Sequence, residues 1–162
     1  MTSKKTILIT GCSANGIGAA LANALAKAGH TVFATARDPS KIPTTLTALP
    51  NVKTLALDVT SPSSVADAVA AVKSDDRAGR LDVLVNNAGA GYTIPLLDAD
   101  LEQARRVHDT NVWGPLRTTQ AFADLLIASK GRVVNISSVG AVVNTRWVPY
   151  IYIHILILCI TW

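Results

Sequence analysis

Three places in this chain carry residues whose types and spacing could do chemistry. TGCSANGIG, Thr10 to Gly18, is a glycine-rich string of the kind that lets a backbone approach a phosphate. NISS, Asn135 to Ser138, ends in hydroxyls able to donate to a carbonyl oxygen. YIYIH, Tyr150 to His154, sets a phenol and a base one helical turn apart, a spacing at which two side chains can share a proton.

The glycine string must first be assigned a phosphate. Gly11 and Gly16 have the separation of a nucleoside-triphosphate loop, but that loop needs Lys and then Ser or Thr directly after its second glycine. Ile17 and Gly18 stand there, so the triphosphatase reading fails. A dinucleotide site survives: Gly11, Ser13, Gly16, Ile17 and Gly18 form a small-residue turn into a helix whose N-terminus offers free N–H groups and partial positive charge. Alone, the string also fits an ordinary strand-to-helix turn. The end of the next apolar run separates the two. An NAD site puts an acid there to accept the ribose hydroxyls, whereas this chain runs into Ala36-Arg37. A guanidinium stacks on adenine and binds a 2′-phosphate, which points to NADP(H).

Parallel strands joined by helices must position these groups. TILIT (6–10), TVFAT (31–35), VKTLAL (52–57), LDVLVN (81–86) and RVVNIS (132–137) are short and rich in Val, Leu and Ile, as strands covered on both faces are. The first helix starts near Gly16, carries Leu21, Leu25 and Ala28 on one face, and meets Gly29 as its left-handed cap. Ser61-Pro62 opens another, with Val65, Val69 and Val72 following. A helical region from about 100 to 129 carries Leu101, Ala104, Val107, Leu116, Phe122 and Leu126, with Gly114-Pro115 as a kink. The alternation predicts an α/β fold, a doubly wound parallel sheet.

Bulk composition narrows the function further. The 162 residues suit one domain, and 49% hydrophobic against 16% charged residues excludes a disordered chain. The net charge of +4 is spread from Lys4 to Arg146 with no run longer than two, which argues against nucleic acid as a partner. Cys12 and Cys159 are too few and too far apart for a disulfide framework, and MTSKKTILIT has no signal-like apolar run, so a cytoplasmic setting is expected. No metal site is expected.

With these residues placed, the chain resembles the short-chain dehydrogenase/reductase family. The glycine string, Asp58-Val59, NNAG at 86–89, Asn111 in NVWG and NISS at 135–138 carry the resemblance, in that order. The string is one residue longer than the family's usual form and is similar to that of NADPH-dependent 1-acyldihydroxyacetone phosphate reductases. The resemblance implies a Rossmann-type sheet and reduction of a carbonyl on a small-molecule ketone, or oxidation of the corresponding alcohol, with a lipid-derived ketone as the substrate class that the glycine string suggests. It implies that Asp58 accepts from the adenine amino group beside the backbone of Val59. Asn87, Ala88 and Gly89 would pack the ribose. Asn111 would hold a water that serves the catalytic lysine, and Ser138 would polarise the substrate carbonyl. Asp58, Asn111 and Ser138 also have milder uses, as helix-approach cap, local helix bond and turn residue respectively. Homo-oligomers are common in the family.

The same resemblance settles what YIYIH is expected to be. Family spacing from Ser138 puts the catalytic tyrosine at Ile151 and its lysine at Ile155, and no lysine follows Lys130. Tyr150 and Tyr152 miss the place by one residue, about 100° around a helix. His154 is mostly neutral at pH 7 and lacks a fixed charge. YIYIH is therefore expected to be coincidence. The resemblance spans Thr6 to about Asn144, which divides the chain into an NADP-binding domain at 1–146, incomplete at its C-terminal end, and an apolar tail at 147–162. This chain is expected to bind NADP(H) with little or no turnover; the rival is a non-catalytic NADP-binding or interaction protein. The tail has no charged side chain. As a helix it would reach about 24 Å, short of a membrane core of about 30 Å. An aggregation-prone segment, an edge strand, and an anchor on a membrane, endoplasmic reticulum or lipid-droplet surface are its three expected uses, in that order.

Overall fold

The computed structural model describes residues 3–75, 80–138 and 160–161. The positions discussed at Arg146, at 150–155 and through most of the tail lie outside them.

Five strands form as the apolar runs predict: β1 (Thr6–Ile9), β2 (Thr31–Ala36), β3 (Val52–Ala56), β4 (Val83–Asn86) and β5 (Arg132–Asn135). They run parallel in the order β3-β2-β1-β4-β5. A two-residue strand, β6 (Ile160–Thr161), adds antiparallel to β5, with Arg132 opposite Thr161 and Val133 opposite Ile160. These two residues thus take the edge-strand geometry, one of the three uses set out for the tail.

Alternation along each strand splits the core into two layers. Leu8, Phe33, Leu84 and Val133 face Val72, Phe122 and Leu126 on one side. Ile7, Ile9, Val32, Ala34 and Val85 face Ala22 and Ala26 on the other. Register keeps each layer in line across the strands, since Leu8 lies opposite both Phe33 and Leu84.

Helix α1 (Ile17–Lys27) buries Gly18, Ala19, Ala22 and Ala26. The predicted stripe of Leu21, Leu25 and Ala28 is displaced: the leucines are half-buried flanks and Ala28 is exposed. Small residues win the sheet-facing side because they let the helix backbone lie close to it. Gly29 takes the left-handed conformation predicted for it, at φ 90°. After the short helix α2 (Thr44–Thr47) and β3 comes α3 (Pro62–Lys73), whose Ser61 hydroxyl accepts from Ser64 N–H at 3.3 Å. Val65, Ala68 and Val72 are its buried face.

The long helical region breaks where Gly114-Pro115 predicts a kink. It comprises α4 (Leu101–His108), a π-helical turn (Asp109–Trp113), α5 (Gly114–Ala121) and α6 (Ala123–Ser129). A π turn holds an extra residue and rotates everything after it by about 100°. Thr118 is fully buried, and the expected core residue Leu116 is 46% exposed. Leu101, in the first turn of α4, is also exposed.

Candidate functional site

The chain leaves β1 and β4, neighbours in the sheet, toward opposite layers, and such a switch point opens a crevice beyond the strand ends. Here the crevice is a cleft of about 480 Å³. Gly11, Ser13, Gly16, Ile17, Arg37, Asp58, Val59, Asn87, Ala88 and Gly89 all line it. Four separate stretches of the sequence therefore converge on one surface.

Thr10 does the joining. Its hydroxyl accepts from the N–H groups of Asn87 and Ala88, both at 2.9 Å, and donates to the Val85 carbonyl at 3.4 Å. Asn87 answers from the other side, its Nδ2 donating to the carbonyls of Thr10 at 2.8 Å and Gly11 at 3.0 Å. Gly11 sits at φ 75°, and a Cβ there would lie 2.8 Å from the Ala88 backbone. Only glycine fits that crossing. Gly18 does not line the cleft but is buried behind it, where a Cβ would meet both Asn87 Nδ2 and the Gly11 carbonyl oxygen at 2.5 Å.

The helix that follows is prepared for an anion. Gly16 caps α1 without a side chain, and no acid stands in the first turn. The partial positive charge of its N-terminus is therefore not neutralised from within.

At the end of β2, Arg37 is exposed and lines the cleft, as the sequence places it. The next residue is an acid, Asp38, but its Oδ1 accepts from Ser40 N–H at 3.0 Å and Ser40 Oγ at 2.6 Å. These side-chain and backbone bonds from Ser40 hold the carboxyl below its ordinary 3.8. One oxygen of this acid is thus tied into its own turn, while Asp38 itself lines the cleft beside Arg37. Lys41, at the far end of that turn, also lines the cleft. Sequence reasoning passed over it because only the fold brings it there.

Asp58 lines the cleft and is also bonded within its own turn. Oδ1 accepts from the N–H and hydroxyl of Thr60, at 2.9 and 2.8 Å, and so shapes the approach to α3. That is the cap named as its milder use. Val59 is held from the long helical region: Arg117 donates to its carbonyl and to Asp109 Oδ1, and a Cβ on Gly114 would lie 2.8 Å from Val59 Cγ2.

Asn111 lies in the π turn, outside the cleft wall. Its Oδ1 accepts from Ala90 N–H at 2.8 Å while Nδ2 donates to the Ala90 carbonyl at 2.9 Å. The side chain works as a clamp on the loop after β4. Deeper in, Asn86 donates to Asn135 Oδ1 at 2.8 Å and accepts from the Thr118 hydroxyl at 2.7 Å, binding β4 to β5 and α5. Ser138, exposed just past β5, is not part of the cleft wall. Cys12 is fully buried, and burial pushes its thiol up to about 11, against a lowering bond with the Thr35 backbone. It is an unreactive core residue. Among the described residues no cluster of His, Cys, Asp and Glu could hold a metal, and no helix is long and apolar enough to cross a membrane.

A doubly wound parallel sheet with a glycine loop and an uncapped helix N-terminus at its switch point defines an α/β protein of the Rossmann type. The chain belongs to the short chain dehydrogenase family, whose model matches residues 5–151. It is 47% identical over 144 residues to the short-chain dehydrogenase ptmH of Penicillium ochrochloron, covering 89% of this chain and 52% of that one. It is 40% identical over 152 residues to the NADPH-dependent 1-acyldihydroxyacetone phosphate reductase of Schizosaccharomyces pombe, covering 94% and 49%. A short-chain dehydrogenase from Burkholderia cenocepacia, solved in complex with NADP, superposes with a TM-score of 0.78 at 29% identity, over 90% of this chain and 58% of that one. The chain spans about half the length of the curated relatives it matches.

Proposed function

We propose that this chain is the NADP(H)-binding part of a carbonyl-reducing oxidoreductase and that, by itself, it binds the coenzyme with little or no turnover. One observation carries the coenzyme choice: Arg37 lines the cleft at the end of β2 while the neighbouring acid is occupied by Ser40. The residues present fit the group. Gly11 to Gly18 and the open end of α1 would hold the pyrophosphate, and Asp58 and Val59 would hold the adenine. Asn87 to Gly89 would form the wall along the ribose, with Arg37 at the 2′-phosphate. When bound, the coenzyme supplies the hydride. The hydroxyl of Ser138 would donate to the carbonyl oxygen as charge builds there.

Low turnover follows from the sequence beyond Ser138, where neither the tyrosine nor the lysine of the family's proton relay stands in place. The name of the fission-yeast relative supports a lipid-derived ketone as the substrate class. Membrane or lipid-droplet association and homo-oligomerisation stay with this proposal. So does the division into a coenzyme domain at 1–146 and a tail at 147–162, and a cytoplasmic setting.

Fluorescence titration followed by a turnover assay tests both halves. The expected result is saturable NADPH binding, tighter than NADH binding, with no ketone-dependent consumption of NADPH. Tighter binding of NADH overturns the coenzyme assignment. Rapid ketone-dependent consumption overturns the assignment of low turnover.

A further inference from the structure

The five parallel strands all start at the end of the sheet away from the cleft, and the helices that feed them end there. Cations crowd into those junctions. Lys4 and Lys5 precede β1, Lys27 stands in the last turn of α1, Arg80 precedes β4, and Lys130 and Arg132 flank the start of β5. All six are exposed. Scattered along the sequence, they are gathered only by the parallel topology.

Backbone bonds make these junctions one surface. Thr31 N–H donates to the Lys5 carbonyl, Asp82 N–H to the Thr6 carbonyl and Arg132 N–H to the Asp82 carbonyl, each at 2.9 Å. Lys5 N–H donates to His30 Nδ1 at 3.2 Å, and Asn51 Nδ2 donates to the carbonyls of Ala26 and His30, which fixes the end of α1 to the same row. The acid inside this row, Asp82, is buried and already shared between Lys5 and Arg80. Asp75, the other acid at the strand starts among the described residues, pairs with Lys53. Asp124 lies in the first turn of α6, about 9 Å along the axis from Lys130. The surplus at the surface is positive. A helix dipole accounts for Lys27 but not for Lys4, Arg80 or Arg132, which precede or begin strands.

Apolar surface reaches the same end. Ile127, one turn before Lys130, is 51% exposed. Thr161 of β6 lies opposite Arg132, and β6 belongs to the stretch 147–162, which has no charged side chain and includes Trp147, Tyr150, Tyr152 and Trp162. An interfacial anchor needs basic side chains beside apolar ones, and that stretch lacks the first. The fold supplies them. The exposed neighbour of the cations is aliphatic, which suits acyl chains beneath headgroups better than stacked bases.

We propose that this basic end of the sheet docks on a membrane surface bearing anionic phospholipid headgroups, with the cations on the headgroups and the tail adding apolar contact. The proposal rests on the membrane association named above, to which it gives a site, and is independent of the coenzyme reading. Docking in this way leaves the cleft, at the other end of the strands, open to a coenzyme.

Flotation of the 162-residue chain with phosphatidylcholine vesicles, with and without phosphatidylserine, is the test, because bound chain floats and aggregate sinks. Binding is expected to need phosphatidylserine and to fall as salt is raised. Each cation removed is expected to weaken it about fivefold, so Lys27→Gln with Lys130→Gln weakens it about twenty-five-fold. A charge-matched control, Arg105→Gln with Arg106→Gln, removes two exposed cations at the far end of the long helical region and is expected to change binding less than about twofold. No flotation, equal flotation with both vesicles, or equal loss in the two double variants overturns the proposal. So does binding to single-stranded RNA without binding to vesicles, which assigns the cations to nucleic acid. Circular dichroism of each variant is expected to match the parent, since the side chains changed are exposed. NADPH titration of the same samples keeps the two readings apart: flotation without NADPH binding overturns the coenzyme assignment alone, and NADPH binding without flotation overturns the docking surface alone.

Discussion

Replacing Gly18 by Ala tests the claim that the cleft floor is a structural seam rather than a surface. The new methyl would stand 2.5 Å from Asn87 Nδ2 and 2.5 Å from the Gly11 carbonyl oxygen, both too close to persist. The second contact is with backbone at φ 75°, which has little freedom to retreat. Overpacking of this kind costs about 1–3 kcal/mol. Losing the two bonds from Asn87 Nδ2 adds about 1 kcal/mol each. The better helix propensity of Ala returns up to about 1 kcal/mol. The net is a loss of about 2–4 kcal/mol, a large part of the 5–15 kcal/mol typical of a domain. In urea this lowers the unfolding midpoint by about 1–2 M, for a slope of about 2 kcal/mol/M. Circular dichroism at 222 nm reads the midpoint, and an NADPH titration of the folded fraction reads the cleft, where weaker binding is expected. Gly29→Ala is the comparison. No atom lies within 4 Å of the added methyl, and its φ of 90° is the only source of strain. That variant is expected to lose stability but to bind NADPH as the parent does. A Gly18→Ala midpoint equal to the parent's, with unchanged binding, would refute the seam.

Two further outcomes follow from the same geometry. Thr10→Val keeps the shape but removes the acceptor for the Asn87 and Ala88 amides, so stability should fall by about 2–6 kcal/mol, at about 1–3 kcal/mol for each donor left unmet. Thr10→Ser, which retains the oxygen, should lose less than half as much in the same urea titration. Asp82 is 4% exposed at the start of β4; burial raises its carboxyl, but bonds from Thr6 N–H and Arg80 and the charges of Arg80 and Lys5 bring it below its ordinary 3.8. A carboxyl lower in the folded than the unfolded chain stabilises fully above the unfolded value and loses that contribution as pH falls toward the folded one. Asp82→Asn should therefore be less stable than the parent at pH 7. It should also show a flatter decline below about pH 4, the ordinary carboxylate range. Equal slopes on acid titration of the two proteins would count against this pairing.

The sheet was legible because its central strands β1, β2 and β4 are short, largely apolar runs, as burial on both faces demands, while the β-branched and Leu residues of β3 and β5 mark the less buried strands beside them. The positions of Gly11, Ser13, Gly16, Ile17, Arg37, Asp58, Val59, Asn87, Ala88 and Gly89 on one cleft were legible through the order of the motifs along the chain. Lys41 was not, because its place depends on a 3₁₀ turn and a bond to Ala14, neither of which leaves a periodic trace. Leu116 was misplaced because its apolar side chain was taken as the sign of burial: it lies nine residues from Val107, about 180° around a helix, while the polar Thr118, eleven residues on, takes the buried face. The leucines of α1 misled differently. Hydrophobicity favours Leu21 and Leu25 as the core face, but close approach to the sheet favours Ala22 and Ala26, and approach prevailed.

The side chains that the family resemblance assigns to the coenzyme are largely committed to the protein itself. Asn87 Nδ2 holds Thr10 and Gly11, Asp58 Oδ1 holds Thr60, and both polar atoms of Asn111 hold Ala90. What these residues can offer a ligand is mainly their backbone, their fixed shape and the one carboxylate oxygen of Asp58 that is not engaged with Thr60. Exposed charge stands beside them on the same cleft, Arg37 and Lys41 together with Asp38. A ligand that binds the folded chain and not the unfolded one stabilises the fold by mass action, by about 2.7 kcal/mol at a hundredfold excess over its dissociation constant.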